Sequence, residues 1–319
     1  MTGPTSAGSL DLLLSQARVT ECGRELGADY ARLGMRPPDD APASVLEGFA
    51  AAAHTGFRPR ALDRFQRKCL QLRTGALRRR RLVSPHVTPN FLRAIDVERC
   101  PVLRTSLTHG ECADTDWSVD RLNNDGAYAP GNIVVMSTRA NVAKGALGYD
   151  DVRARSRAAR PTDGLEPAQW MRMACVMYGA CHVDDTVPRE WLPLATVIPT
   201  ESTWPLEFAL QDSLLRAAAT SRQKNQLARS LEPFRRSEAH HRGLMMLLER
   251  LHYAAKGLEY RHDALLDERI QRDIKSWYAN VPQSSWNSLR RALREIHGGE
   301  RISSERWEAW STRTKGYLE

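Results

Sequence analysis

The sequence contains no hydrophobic run that approaches the roughly 18 consecutive apolar residues needed to cross a bilayer. Its first residues have no basic stretch ahead of an apolar core, so nothing there predicts a secretory signal. The six cysteines are scattered without the spacing of a disulfide framework, which predicts reduced thiols. Together these absences favour a cytoplasmic protein with no membrane partner.

Several functional motifs are also missing from the chain. It has no glycine-rich loop of the kind that cradles nucleotide phosphates, so the sequence gives no support for the use of ATP. Glu238, His240 and His241 lack the spacing of a zinc-protease motif. No internal repeat and no low-complexity tract interrupts the 319 residues, a length that suits two or three compact domains.

Positive charge is concentrated in one segment of the chain. The formal net charge is +8, and residues 58–81 alone contain ten basic residues against one acidic residue. Arginine dominates this segment, and a planar guanidinium can meet a phosphate with two parallel hydrogen bonds. The segment therefore predicts a nucleic-acid contact surface, with Arg78, Arg79, Arg80 and Arg81 as the candidate residues. A solvated helix face is the alternative interpretation.

Sequence patterns divide the chain into three predicted regions. Residues 1–95 have helical periodicity, residues 96–150 are rich in turns and β-branched residues, and residues 151–319 return to helical patterns. One amphipathic helix is predicted to run without a break over 206–230. The predicted fold class is therefore mainly α with a small α+β insert.

Four of the eight tryptophans lie near the C-terminus: Trp277, Trp286, Trp307 and Trp310. Aromatic residues at helical spacing are typical of a packed core. The alternative is that these helices form a docking surface for a protein partner, in which case the chain would act as an interaction scaffold. The sequence leaves the oligomeric state open.

The most informative segment covers residues 117–145. A short apolar run leads to Asp120, a turn-rich loop follows, and a second apolar run opens after Asn132. A predicted helix then carries Asn141 and Lys144, which are spaced to lie on one helix face. Such a strand–loop–strand–helix unit can hold one hard divalent cation against a phosphate.

This segment resembles the HNH, or His-Me finger, nuclease family, and in particular a branch found in phages and mobile elements. The matching residues are Cys100–Leu103, Ser118–Leu122, Asn124–Tyr128, Gly131–Val135, Ser137, Arg139–Asn141 and Lys144. The resemblance falls within residues 99–148. It implies a ββα-metal module flanked by N- and C-terminal helical regions. It also implies a metal-dependent endonuclease that hydrolyses phosphodiester bonds of DNA, with RNA as an open alternative.

The resemblance also implies roles for individual residues. Asp120 matches the acid that binds the metal, and Asn141 matches a second metal ligand or phosphate contact. Asn132 matches the residue that holds the loop by hydrogen bonds. Lys144 or Arg139 could lie beside the phosphate. The implied cofactor is Mg²⁺ or Mn²⁺, because these cations accept a small number of protein oxygen ligands and keep several waters.

One position departs from the family pattern. The family's general base is a histidine directly after the acid, but here that position is Arg121, which cannot take a proton at neutral pH. Arg121 could instead clamp a phosphate or stabilise the transition state. The nearest imidazole is His109, which could fold back towards Asp120 or be a histidine of a surface loop, and His86 is more remote. Without any protein base, the chain would either rely on metal activation of water or bind nucleic acid without cutting it.

A structural zinc site is not predicted. Cys100, His109 and Cys112 supply at most three local ligands, whereas a closed structural site needs four. Cys175 and Cys181 lie on a predicted apolar helix and are interpreted as core residues.

Overall fold

The computed structural model describes residues 7–54, 56–181, 190–198, 205–297 and 315–318. These residues are mainly helical and include one two-stranded antiparallel sheet, which confirms the mainly α character of the predicted fold. Among them, no helix has both the length and the apolar character that a membrane span requires. The chain forms two compact units: unit 1 takes the described residues of 1–98, 107–141 and 303–319, and unit 2 takes those of 99–106 and 142–302.

Unit 1 begins with helices α1 (Ala7–Leu33), α2 (Ala43–Ala53), α3 (Arg64–Arg78) and α4 (Pro89–Ala94). α3 starts at a capping box, in which the Asp63 carboxylate accepts from the Gln66 amide and the Gln66 side chain accepts from the Asp63 amide. Its buried face contributes Leu70 to a core with Leu26 and Tyr30 of α1. α3 is therefore an amphipathic helix whose polar face carries much of the basic segment.

The small sheet consists of β1 (Trp117–Arg121) and β2 (Ile133–Ser137), and helix α5 (Thr138–Lys144) follows directly. The strands pair antiparallel, with Asp120 opposite Val134. Buried and partly exposed residues alternate along β1, because successive side chains face opposite sides of a strand, whereas β2 is buried throughout. The Ser137 hydroxyl accepts from the Ala140 amide at 3.2 Å, so Ser137 caps the start of α5.

The loop between β1 and β2 pairs with the chain that follows α3. The Tyr128 amide donates to the Leu82 carbonyl at 3.0 Å, and the Ser84 amide donates to the Tyr128 carbonyl at 2.8 Å. These backbone bonds tie the sheet to the N-terminal helices. Compact unit 1 therefore includes the sheet, whereas the sequence predicted a separate module over 96–150.

Unit 2 contains α6 (Tyr149–Arg155), α7 (Pro167–Cys181), α8 (Leu206–Ala217), α9 (Ser221–Leu231), α10 (Glu238–Ala255), α11 (Glu268–Ala279) and α12 (Trp286–His297). The prediction of one unbroken helix over 206–230 is wrong. The chain leaves the helix after Ala217, and the Thr220 hydroxyl accepts from the Gln223 amide to start α9. Threonine is favoured at this capping position because its hydroxyl accepts a hydrogen bond from a backbone amide that has no partner within the helix.

The core of unit 2 is built from large side chains that its helices bury. Trp170 of α7 and Phe208 of α8 are both fully buried. Cys175 is also buried, and its thiol donates to the Pro193 carbonyl, whereas Cys181 is partly exposed. Of the four C-terminal tryptophans, Trp277 is buried and Trp286 is partly buried against Tyr278. Trp307 and Trp310 lie outside the described residues.

Candidate functional site

Asn132 holds the loop between the two strands in shape. Its Oδ1 accepts from the Asn123 amide at 2.8 Å, and its Nδ2 donates to the carbonyls of Asn123 at 3.0 Å and Ala127 at 2.8 Å. The side chain is completely buried, so these bonds are not weakened by competition with water. This is the loop-holding role that the resemblance implies for Asn132.

Arg121 also organises the loop from the inside. Its Nη1 donates to the carbonyls of Asn124 at 2.8 Å and Gly126 at 2.9 Å, and the guanidinium lies 5.2 Å from the centroid of the Tyr128 ring. Only 9% of the residue is exposed. The guanidinium is therefore occupied in shaping the loop that joins β1 to β2.

Asp120 lies on the opposite face of β1 from Arg121. Asp120 and Ser118 are both partly exposed, and because they are two residues apart they share one face of the strand. Nδ2 of Asn141 donates to Oγ of Ser118 at 2.7 Å, which brings α5 to this same face. The structure thus gathers a carboxylate, a hydroxyl and a carboxamide on the accessible side of β1.

The start of α5 is fixed by the segment that precedes β1. The Asp116 carbonyl accepts from the amide of Thr138 at 2.7 Å, and the Asp114 carbonyl accepts from the amide of Arg139 at 2.9 Å. The Asp116 carboxylate in turn accepts from the Thr108 hydroxyl at 2.7 Å and from a backbone amide. The Thr108 hydrogen bond, together with backbone amides, lowers the pKa of Asp116 below its usual value.

His109 lies away from the face that carries Asp120. Its ring packs edge-on against Trp117, with centroids 5.3 Å apart, and its Nε2 is 2.9 Å from Nη1 of Arg64. Trp117 is three residues from Asp120, so their side chains leave the strand on opposite faces. This geometry corrects the prediction that His109 folds back across the strand towards Asp120.

The surroundings of His109 are basic and aromatic. Nζ of Lys68 donates to the Trp117 carbonyl at 3.1 Å and lies 5.1 Å from the Trp117 ring centroid. Burial lowers the pKa of Lys68, and the nearby Asp116 partly offsets this shift. Arg64 stacks on Phe65 with its Cζ 4.7 Å from the ring centroid. This cluster is a cation–π arrangement that holds the N-terminal half of α3 against β1.

The four arginines predicted to contact nucleic acid are engaged within the chain. Their partners are Asp40 for Arg78, Tyr128 for Arg79, Gln16 for Arg80, and Lys315 with Tyr317 for Arg81. Arg78, Arg79 and Arg80 are still exposed, whereas Arg81 is partly buried, and burial followed by the charge of Arg121 lowers its pKa. A phosphate would therefore compete with existing contacts at each of these positions.

Three other basic residues of the same segment are exposed and form no ion pair among the described residues: Arg58, Arg60 and Arg67. Arg139 is exposed as well, on α5. Lys144 has no exposed surface at all, so in this conformation it does not present its ammonium group to a phosphate.

The donor set around Asp120 is small. In the described ranges, no group of three or more His, Cys, Asp or Glu side chains is arranged to hold a metal ion. Any cation at this site would therefore rely on Asp120 together with neutral oxygen ligands. Asn141 could offer such a ligand, because its Nδ2 donates to Ser118 and its Oδ1 takes no part in that bond.

Two contributors to the site were not found by reading the sequence. Asp116 holds the start of α5 through a backbone carbonyl, and Gly316 lies against the turn at Gly126, 190 positions earlier in the chain. The first is a contact between backbone groups, which the side-chain types at these positions do not indicate. Sequence spacing carries no signal for the second contact.

Comparison of the chain with models of protein families, with curated proteins and with solved structures finds no match. The geometry of the site is therefore the basis for assigning a function.

Proposed function

We propose that this chain is a metal-dependent endonuclease of the HNH type that hydrolyses phosphodiester bonds of DNA. The observation that carries the proposal is the shared face of Asp120, Ser118 and Asn141, with the Asn141 amide hydrogen-bonded to Ser118. The sequence resemblance over residues 99–148 supports the same conclusion. The family is part of the proposal, because it rests on that resemblance and on local geometry.

The residues on this face fit a hard divalent cation held jointly with a substrate. Mg²⁺ and Mn²⁺ prefer oxygen ligands, and Mg²⁺ is commonly bound by one or two carboxylates with waters and substrate phosphate oxygens completing its coordination. Asp120 supplies the carboxylate, and Oδ1 of Asn141 supplies a neutral oxygen. When bound, the cation would stabilise the negative charge that develops on the phosphate and the leaving oxygen.

The chain's own residues would hold the substrate phosphate and keep the strand end rigid. Asn132 and Arg121 fix the loop from the inside, so Asp120 projects from a strand whose end cannot drift. Arg139 is exposed on the helix that carries Asn141 and can contact an adjacent phosphate. Its charge would favour binding of the DNA backbone without reading the bases.

The alternative is a nucleic-acid-binding protein that does not cut. Two observations favour it. Arg121 occupies the position of the family's base and is engaged with loop carbonyls, and His109 packs on the other face of β1. Neither residue is arranged to accept a proton from a water at Asp120. Cleavage would then depend on a water activated without a protein base.

A plasmid-nicking assay with Mg²⁺ or Mn²⁺ separates these functions. Asp120→Asn should abolish nicking and leave DNA binding in place, because it removes the charge that holds the cation. Asp125→Asn is the matched control, since this exposed aspartate lies five positions away in the loop that follows β1. If wild-type protein binds DNA and never nicks it with either cation, the binding function replaces the nuclease. If Asp120→Asn nicks as fast as wild type, nicking does not depend on Asp120 and the proposed site is wrong.

A further inference from the structure

The segment Lys315–Leu318 lies alongside the chain that follows α3. The Leu82 amide donates to the Gly316 carbonyl at 2.8 Å, and the Leu318 amide donates to the Arg80 carbonyl at 2.9 Å. Between these two bonds, Arg81 and Tyr317 form an antiparallel bridge. The segment is thus attached by backbone bonds and not only by side chains.

Arg81 adds a side-chain anchor for the same segment. Its Nη1 donates to the Lys315 carbonyl at 2.6 Å, and its Nη2 donates to the Tyr317 hydroxyl at 2.7 Å. The guanidinium also stacks on the Tyr317 ring, with Cζ 3.6 Å from the centroid. Leu318 is 7% exposed and joins the core cluster that contains Leu26. A segment with a buried leucine and these bonds is a fixed part of unit 1.

Gly316 is the point where this segment reaches the loop of the candidate site. A Cβ at this position would lie 2.5 Å from the carbonyl carbon and oxygen of Gly126 and 2.6 Å from the amide nitrogen of Ala127. Its φ of +68° also favours glycine over any residue with a side chain. Only glycine allows the two backbones to approach this closely.

We propose that Gly316 is a positioning residue for the candidate site, because it supports the Gly126–Ala127 peptide from outside. This inference rests on the proposed function and names a residue that acts through the loop. From the inside, Arg121 donates to the Gly126 carbonyl and Asn132 donates to the Ala127 carbonyl. The peptide between these carbonyls is therefore held on both sides. Displacing it would disturb the two residues that fix the end of β1.

The test compares Gly316→Ala with Gly110→Ala. Both glycines belong to unit 1 and have positive φ, +68° and +82°, so both substitutions carry the same kind of backbone cost. A Cβ at Gly110 meets no described atom within 4 Å, whereas one at Gly316 meets the loop. The control therefore removes the backbone cost from the comparison.

The first readout is hydrogen exchange at the loop amides of Asn123, Gly126 and Tyr128, which the structure shows hydrogen-bonded. Gly316→Ala should speed exchange at these amides by about tenfold relative to Gly110→Ala. The second readout is nicking kinetics. Displacement of Asp120 should lower kcat by about tenfold and leave KM close to that of wild type, because substrate binding by distant arginines is unchanged.

Equal exchange at the loop amides in the two variants would overturn the positioning role. Hydrogen exchange does not need cleavage, so it decides this inference even if wild-type protein never nicks DNA and the proposed function fails. Should Gly316→Ala not fold, Leu318→Ala loosens the same segment from its core. It is expected to speed exchange at Leu82 and Gly126, and unchanged exchange there would equally reject the proposal.

Discussion

Nδ2 of Asn141 donates a 2.7 Å hydrogen bond to Oγ of Ser118, and this contact joins α5 to the face of β1 that carries Asp120. The bond orients the carboxamide, because it commits the nitrogen to Ser118 and leaves Oδ1 out of this contact. A metal ligand held in this way is preorganised, which reduces the cost of binding a cation.

Replacing Ser118 by alanine is therefore expected to weaken Mn²⁺ binding by about tenfold, a size typical for loss of a residue that orients a ligand. Isothermal titration of the purified protein with Mn²⁺ measures the change. Ser118→Thr is the matched variant, since it keeps the hydroxyl and suits a strand. Equal Mn²⁺ affinity in the alanine variant and wild type would contradict a ligand role for Asn141.

The buried Asn132 side chain should contribute strongly to the stability of unit 1. Asn132→Ala removes three hydrogen bonds and leaves backbone groups of Asn123 and Ala127 without these partners. We expect the free energy of unfolding to fall by about 3 kcal/mol. Urea denaturation measures this value. The control is Asn225→Ala on the exposed surface of α9, expected to change stability by less than about 0.5 kcal/mol.

Local sequence was enough to predict the hairpin and the helix that follows it, whereas the hydrogen-bonding role of Asn132 was implied by the family resemblance. Each depends on residues within about a dozen positions, where turn formers, β-branched residues and caps act directly. The sequence left open whether His109 folds back towards Asp120, because proximity in sequence does not determine which face of a strand a side chain meets. Successive side chains of β1 face opposite sides of the strand, so Trp117 lies on the face opposite Asp120. The His109 ring packs against Trp117 and is therefore on that opposite face too.

Other contacts could not be predicted because they join distant segments. Gly316 and Gly126 are separated in sequence by residues 142–302, the larger segment of unit 2. The arginines at 78–81 looked like a phosphate surface because their partners, among them Asp40 and Tyr317, are remote in sequence. A run of charge in the sequence shows which residues are basic, whereas the fold determines which of them form hydrogen bonds and ion pairs within the chain.

The acid stability of unit 1 should depend on Asp116. The pKa of its carboxyl is lowered in the folded protein, first by the Thr108 hydrogen bond. A group whose pKa is lowered on folding contributes stability above its unfolded pKa, about 3.9, and loses that contribution as the pH falls through the folded value. The melting temperature of the wild-type protein should therefore decrease as the pH falls below about 4, and the decrease should be smaller in Asp116→Asn.

Thermal melts of both proteins check this expectation. They are recorded between pH 2 and pH 6 in steps of about one pH unit, which covers the range in which carboxyl groups titrate. Asp125→Asn serves as the control, because it also removes a carboxylate from an exposed loop of unit 1. Its melting temperature should follow the wild-type profile. A parallel drop in Asp116→Asn would mean that another carboxyl governs acid unfolding.

The exposed arginines that form no salt bridge in the described ranges should dominate DNA affinity. Arg67 on α3 has no such acidic partner, whereas Arg78 is paired with Asp40 at 2.7 Å. A phosphate contact by Arg78 must replace that pair, so its net gain is smaller. Arg67→Ala should weaken DNA binding and reduce the slope of log affinity against log salt by about 1. Arg78→Ala should change both quantities less.

Fluorescence anisotropy with a labelled duplex over a range of NaCl concentrations measures both slopes. The two variants remove the same charge from the same helix, so a difference between them reports position and not net charge. Equal losses would mean that binding follows overall charge. A larger loss in Arg78→Ala would assign the DNA surface to the C-terminal end of α3. This end lies next to the loop between β1 and β2, because the Arg79 guanidinium donates to the Tyr128 hydroxyl of that loop.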